Sequence, residues 1–400
     1  MTAKVQSNIS RFQFEYQEEL FMPESSVNSM SIGVPKENHK KERRVAITPF
    51  TVRFLTENGI KVMVETGVGL ASGFEDLHYA EYGAVIVKTQ EEVYQADIII
   101  KVAPACENEI KLLRKNQILI SSLNVKTLSK TYFQELIKKK VTAIALEFIK
   151  DENGEFPFVQ MMSEISGKVA INYAANFMRE QRGKLLGSIA GNRPSEVLVL
   201  GAGYMAQSAA QSAIDQGAVV KVFDPSISKL RVLSQKVSQP IYTSVFHLSV
   251  LKKELPRADV LIGAMSVKDL LNGYAIKEEL IGMIKKDAII LDLNIDQVSC
   301  FETSQLTDFN QPTKIIHGVT HFGVPNVPSM VPRTASYALG NIFLQQLSSF
   351  KHYGNVTQFL KNDVNFRNGL YLYNGIMVNR QIADIFDLPN QDIDLILSAF

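Results

Sequence analysis

Short apolar runs recur along this chain, and the segments between them carry either helical spacing or turn residues. Ser31 to Pro35, Lys61 to Glu65, Ala96 to Val102, Gln117 to Ser121 and Val141 to Phe148 read as strands, and Pro49 to Asn58 as a helix. A second series follows: Val197 to Leu200, then a helix over Gln207 to Gln216, then Ala218 to Asp224, and later Ile289 to Asp292. Strands alternating with helices in both halves predict an α/β fold of two doubly wound domains. Long helices are expected over Met161 to Arg182 and Thr334 to Phe350, tying the halves together. The tail from Asn365 to Phe400 contains Leu370-Tyr-Leu-Tyr373 and Ile393-Asp-Leu-Ile-Leu397, too apolar for a linker, and is expected to pack on the first domain. The turn Asp151-Glu-Asn-Gly-Glu-Phe-Pro157 marks the boundary, giving segments 1–157, 158–332 and 333–400, the last returning to the first.

Composition narrows the function classes. Four hundred residues, 46% of them hydrophobic, can build two or three cored domains. With 42 basic and 41 acidic residues the net charge is +1, which offers no surface for nucleic acid or an anionic membrane. Small molecules and other subunits are the partners expected. Cys106 and Cys300 stand far apart without ligand-spaced neighbours, so neither a disulfide framework nor a metal site is expected, and a cytoplasmic location fits. Residues 1–30 have mixed charge and no apolar core for a signal peptide; they read as an N-terminal extension. No apolar run reaches the roughly eighteen residues of a membrane span, so no membrane insertion is expected.

The most specific motif is Val197-Leu-Val-Leu-Gly201-Ala-Gly203-Tyr-Met-Ala206 with Asp224 closing the next strand. Gly201 permits a sharp turn, Gly203 removes a side chain where a pyrophosphate must approach, and Ala206 lets helix and strand pack closely. The helix N-terminus then presents free N–H groups to the phosphates. Asp224 is placed to accept the ribose hydroxyls and would repel a 2′-phosphate, so NAD is favoured over NADP. Segment 158–332 is therefore read as a Rossmann NAD-binding domain inserted in a discontinuous substrate domain.

Other candidates have two readings each. Lys36 to Arg44 supplies basic residues before the helix start Thr48-Pro49, either to dock a carboxylate or as a solvated loop. Lys101 ends a very apolar strand, where a ligand or solvent could meet its ammonium. Ser163 faces cofactor phosphates or caps its helix. Asp296 faces the crevice or caps the turn after its strand. His317 and His321 sit in a proline-stiffened loop as bases, ligands or structural residues.

Several segments together resemble the alanine dehydrogenase family, which includes the NAD-binding subunit of proton-pumping transhydrogenase. They are Ile32-Gly-Val-Pro-Lys-Glu37, Arg44-Val-Ala-Ile-Thr-Pro49, Val64-Glu-Thr-Gly67, Gly73-Phe74, Lys101-Val102, Met162-Ser-Glu164 with Gly167, Ile295-Asp-Gln297, Cys300-Phe-Glu302 and Val331-Pro-Arg-Thr334. The resemblance implies that Arg44 holds the substrate carboxylate and that Asp296 and Asn326 lie beside the nicotinamide and reacting carbon. It also places Gly201, Gly203, Ala206 and Asp224 at cofactor positions, with Ser163 near the phosphates. Activity would be NAD-dependent oxidative deamination of a small 2-amino acid, L-alanine, to pyruvate and ammonia, and the resemblance implies a homo-oligomer.

The chain departs from that family at particular positions. Asn124 stands where the proton-transferring histidine is expected, and an amide exchanges no proton at neutral pH. Ala103 replaces the substrate-binding lysine of a Lys-Val-Lys run; Lys101 matches the other lysine, and residues two apart on a strand share a face. Val298-Ser299 replace two glycines, and the loop Met265 to Lys268 can reshape the pocket. Asp296 through a water, or Lys101 with a lowered pKa, is then the expected base. The other readings are a nucleotide-binding subunit without substrate chemistry and a dehydrogenase of a different amino or imino acid.

Overall fold

A computed structural model describes residues 30–38, 41–270, 273–347 and 356–398. Apart from Met30, the expected N-terminal extension lies outside these residues, as do positions 348–350 at the end of the second long helix.

Six strands open the chain: β1 (Ser31–Val34), β2 (Lys61–Glu65), β3 (Val85–Val87), β4 (Ile98–Ile100), β5 (Ile118–Ser121) and β6 (Thr142–Ala145). Seven more follow: β7 (Glu196–Leu200), β8 (Val219–Asp224), β9 (Tyr242–Val245), β10 (Val260–Gly263), β11 (Ile289–Asp292), β12 (Thr313–Ile316) and β13 (Val319–Phe322). β14 (Leu370–Tyr373) and β15 (Ile376–Met377) then rejoin the first sheet. The first sheet has the order β15-β14-β6-β5-β4-β1-β2-β3 and the second β12-β13-β11-β10-β7-β8-β9. Each is parallel except at the end holding β14 and β15 or β12. The tail thus packs on the first domain by extending its sheet, with Leu372 opposite Ala143.

Both faces of each sheet are covered. Ile98 and Ile100 of β4 enter one apolar cluster and Ile99 another, while Val197 and Val199 of β7 part from Leu198 and Leu200 in the same way. That burial explains the near-continuous apolar runs. In both sheets strand order reverses beside the first strand, between β1 and β4 and between β7 and β10. Ligands bind open α/β sheets at such reversals, beyond the strands' carboxyl ends.

Several boundaries differ from the sequence pattern. The long helix runs Pro157–Arg182, four residues earlier than expected, because proline suits the first helical position. Ser163 consequently lies inside the helix, which corrects its reading as an N-cap. The helix Tyr204–Asp215 starts immediately after Gly203, its extended N-cap. The run Val141 to Phe148 leaves the sheet after Ala145 and forms a 3₁₀ turn, Leu146–Phe148.

These helices fix the geometry around the motif. A Cβ on Gly167 would lie 2.5 Å from the Met205 carbonyl oxygen, so the two helices cross in close contact there. The helix Pro332–Leu347 packs on Pro49–Glu57 through Gly340, where a Cβ would meet Thr51 Oγ1 at 2.6 Å. Among the described residues no helix is long and apolar enough to cross a membrane.

Candidate active site

At the carboxyl end of β7 the two motif glycines do different work. Gly201 has φ +108°, and a Cβ there would sit 2.6 Å from the Ala264 carbonyl oxygen after β10. Gly203 has an ordinary φ of −74°, and a Cβ on it would meet nothing within 4 Å. Open space therefore lies in front of a twelve-residue helix, a cradle that fits a dinucleotide pyrophosphate. Gly201→Ala is expected to lower the melting temperature, since it combines a clash with backbone strain of about 1–3 kcal/mol. Gly203→Ala should leave stability within about 0.5 kcal/mol while weakening NADH binding; melting and fluorescence titration of both variants separate the two roles.

Asp224 is fully buried, and its two oxygens accept from the Ala202 N–H at 2.8 Å and the Ser226 N–H at 2.7 Å. The carboxylate thereby ties the glycine turn to the end of β8. Burial raises its pKa, against the pull of those N–H groups. Nearby, Lys229 pairs with both oxygens of Asp269 at 3.0 Å, and Asp269 accepts from Ser266 Oγ at 2.6 Å, which pins the Met265 to Lys268 loop. No spacing rule links positions 229 and 269, so the sequence did not reveal this pair. Ala206 is buried against the crossing helix.

On the other side, Arg44 is organised by a residue that sequence reading missed. Glu42 accepts from Arg44 Nε at 2.8 Å, Arg44 Nη2 at 2.7 Å and the Arg44 N–H at 3.0 Å. The same carboxylate accepts from Ser329 Oγ at 2.9 Å and Asn326 Nδ2 at 3.0 Å, so it joins Arg44 to the loop after β13. Burial works against the charged form of Glu42, but Arg44 and these hydrogen bonds bring its pKa below the ordinary value. Arg44 Nη1 lies 3.2 Å from Met162 Sδ, beside Ser163, so this turn of the long helix also borders the site. Arg44 keeps 11% of its side chain exposed against 3% for Glu42. In an extended segment residues two apart share a face, a signal that could have linked Glu42 to Arg44.

Lys101 requires a correction. Its ammonium is 1% exposed, 2.6 Å from Glu109 and 3.5 Å from Glu37, so it neither reaches solvent nor stands free as a base. Burial favours the neutral amine, yet the two carboxylates outweigh it and raise the pKa rather than lowering it. Glu37 also accepts the N–H groups of Val102, at 2.5 Å, and Ala103. Burial pushes its carboxyl up to about 7, with Lys101 opposing.

A third group spans the two sheets. Asn124, at φ +45° after β5, accepts through Oδ1 from Gln297 Nε2, and Lys126 Nζ donates to the Gln297 carbonyl at 2.5 Å. Asp296 adjoins Gln297; burial raises its pKa, and Lys126 is among the groups that oppose the rise. Beneath the loop Asp292 is fully buried, accepts from Ser299 Oγ at 2.5 Å and is pushed by burial up to about 6. The histidines do structural work: His321 is buried with Nε2 at 2.8 Å from Thr303 Oγ1, and His317 pairs with Glu278 at 2.6 Å.

Comparison with known proteins agrees over both halves. Residues 33–166 match the family model described as alanine dehydrogenase/PNT, N-terminal domain, and residues 169–380 match alanine dehydrogenase/PNT, C-terminal domain. The chain is 31% identical over 369 residues to a protein named alanine dehydrogenase 2 from Staphylococcus aureus (strain USA300), covering 91% of this chain and 99% of the relative. A solved L-alanine dehydrogenase superposes with a TM-score of 0.81 at 31% identity, covering 90% of this chain and 99% of the other. A transhydrogenase structure from Sinorhizobium meliloti reaches 0.73 at 19% identity, covering 88% and 99%, a likeness of fold.

Proposed function

This chain belongs to the alanine dehydrogenase/PNT family, and on that footing we propose that it converts L-alanine, NAD and water to pyruvate, ammonium, NADH and a proton. The observation that carries this reading is the Arg44 site. Nε and one N–H of Nη2 go to Glu42 and one N–H of Nη1 to Met162 Sδ, which leaves one N–H on each Nη for a ligand carboxylate. Such a fork supplies orientation, the main contribution expected of a binding residue. Its link through Glu42 to Asn326 sets substrate and nucleotide sides in one frame.

When bound, NAD supplies the hydride acceptor for the α-carbon. Gly203 and the N-terminus of Tyr204–Asp215 would hold its pyrophosphate, and Asp224 its adenosine ribose, with a 2′-phosphate disfavoured by charge. Asp296 is assigned the proton acceptor, through a water, because burial moves its pKa toward neutrality and Asn124 takes no proton. Lys101 is reassigned from catalysis to the buried charge cluster beneath the site.

The test is to supply purified protein with NADH, ammonium and a panel of 2-oxo acids and to follow NADH spectroscopically. Consumption with pyruvate is expected. Consumption only with another acid would move the assignment to a different amino acid, and none at all despite NADH binding would favour a subunit without substrate chemistry.

A further inference from the structure

We propose that Asn124 and Lys126 form a two-point clamp from the first domain onto Gln297, and that Lys126 is thereby a positioning residue for Asp296. The catalytic half of this proposal rests on the dehydrogenase reading; the clamp itself does not.

The clamp is built on a stiff support. Where β5 ends, the Glu147 carboxylate accepts the Leu123 N–H at 2.8 and 3.0 Å and the Asn124 N–H at 2.9 Å. The Asn124 carbonyl then accepts both the Thr127 N–H and Thr127 Oγ1 at 2.9 Å, closing the 3₁₀ turn Val125–Thr127. Asn124 holds a left-handed backbone within this turn, a conformation asparagine tolerates better than most residues. Two side chains from one rigid turn therefore reach one residue of the other domain.

Gln297 is held at both ends, its amide by Asn124 and its carbonyl by Lys126. Its own loop is tightly wound, because the N–H groups of Gln297 and Val298 both donate to the Asn294 carbonyl, at 2.8 and 2.7 Å. Asn294 Nδ2 in turn donates to the Met265 carbonyl at 3.0 Å. Displacing Gln297 must then move Asp296 with it. The Lys126 ammonium also favours the charged carboxylate of Asp296, opposing burial. Lys126 is exposed, so the contact adds little to stability and its effect is on position.

Hydrogen exchange across residues 294–299 of the NADH-bound protein tests the clamp without turnover. Lys126→Met, and Asn124→Gly, which keeps the left-handed backbone at φ +45°, are each expected to speed that exchange with little change in melting temperature. Lys126→Met should also lower kcat about ten- to a hundredfold, as for a slightly misplaced catalytic group, with a smaller change in KM, and Lys126→Arg should restore it. Exchange at wild-type rates in both variants overturns the clamp. Faster exchange with undiminished kcat, or an arginine variant as slow as the methionine one, overturns the positioning role. Absence of turnover in the wild type overturns the dehydrogenase reading, and exchange alone then decides the clamp.

Discussion

Asp296→Asn should lower turnover by about two to four orders of magnitude, the usual contribution of a positioned general base, while NADH still binds. The substitution keeps the shape of the side chain and replaces the carboxylate with a neutral amide that takes no proton. Burial raises the Asp296 pKa above its ordinary 3.8, partly offset by hydrogen bonds and by Lys126. Since deamination needs the carboxylate, the wild-type rate should fall as pH drops through that raised value. The variant should lack this limb altogether. Steady-state rates across pH, with NADH affinity measured by fluorescence, check both parts; near-normal turnover in the variant would remove Asp296 from the mechanism.

Lys101→Met should instead act on stability. The ammonium is the cation between Glu109, fully buried at 2.6 Å, and Glu37 at 3.5 Å, so its loss leaves two buried carboxylates without it. Removing one partner of such a buried pair costs about 3–5 kcal/mol. Glu109 also accepts the Cys106 N–H at 2.7 Å, holding the start of the next helix, so the damage should spread along the carboxyl edge of the first sheet. Denaturant unfolding should show the loss, and a double variant, Lys101→Met with Glu109→Gln, should recover part of it. A methionine variant as stable as the wild type yet inactive would return Lys101 to the catalytic group.

The glycine motif was legible because its requirements are local: a turn at Gly201, an open face at Gly203 and a carboxylate at the end of the next strand. Burial on both faces made the strands legible, although the end of Val141 to Phe148 was not, since apolar residues continue past Ala145 into a 3₁₀ turn. The site's charge pairing was less legible. Glu42 meets Asn326 across 284 positions, and Lys126 meets Gln297 across 171. No periodicity spans such separations; only packing of one sheet's loops against the other's brings them together. Lys101 shows the converse: its position at a strand end suggested a ligand, whereas Glu109, eight residues on, supplies its charge from within the same domain.

The central claim is that residues gathered around Arg44 and Asp296 carry out dehydrogenation. The most direct measurement gives the protein NAD and L-alanine deuterated at the α-carbon, then follows the label by mass spectrometry. Pyruvate together with NADH carrying that deuterium is the expected result. Deuterated alanine recovered intact, with NAD bound but never reduced, would contradict the claim.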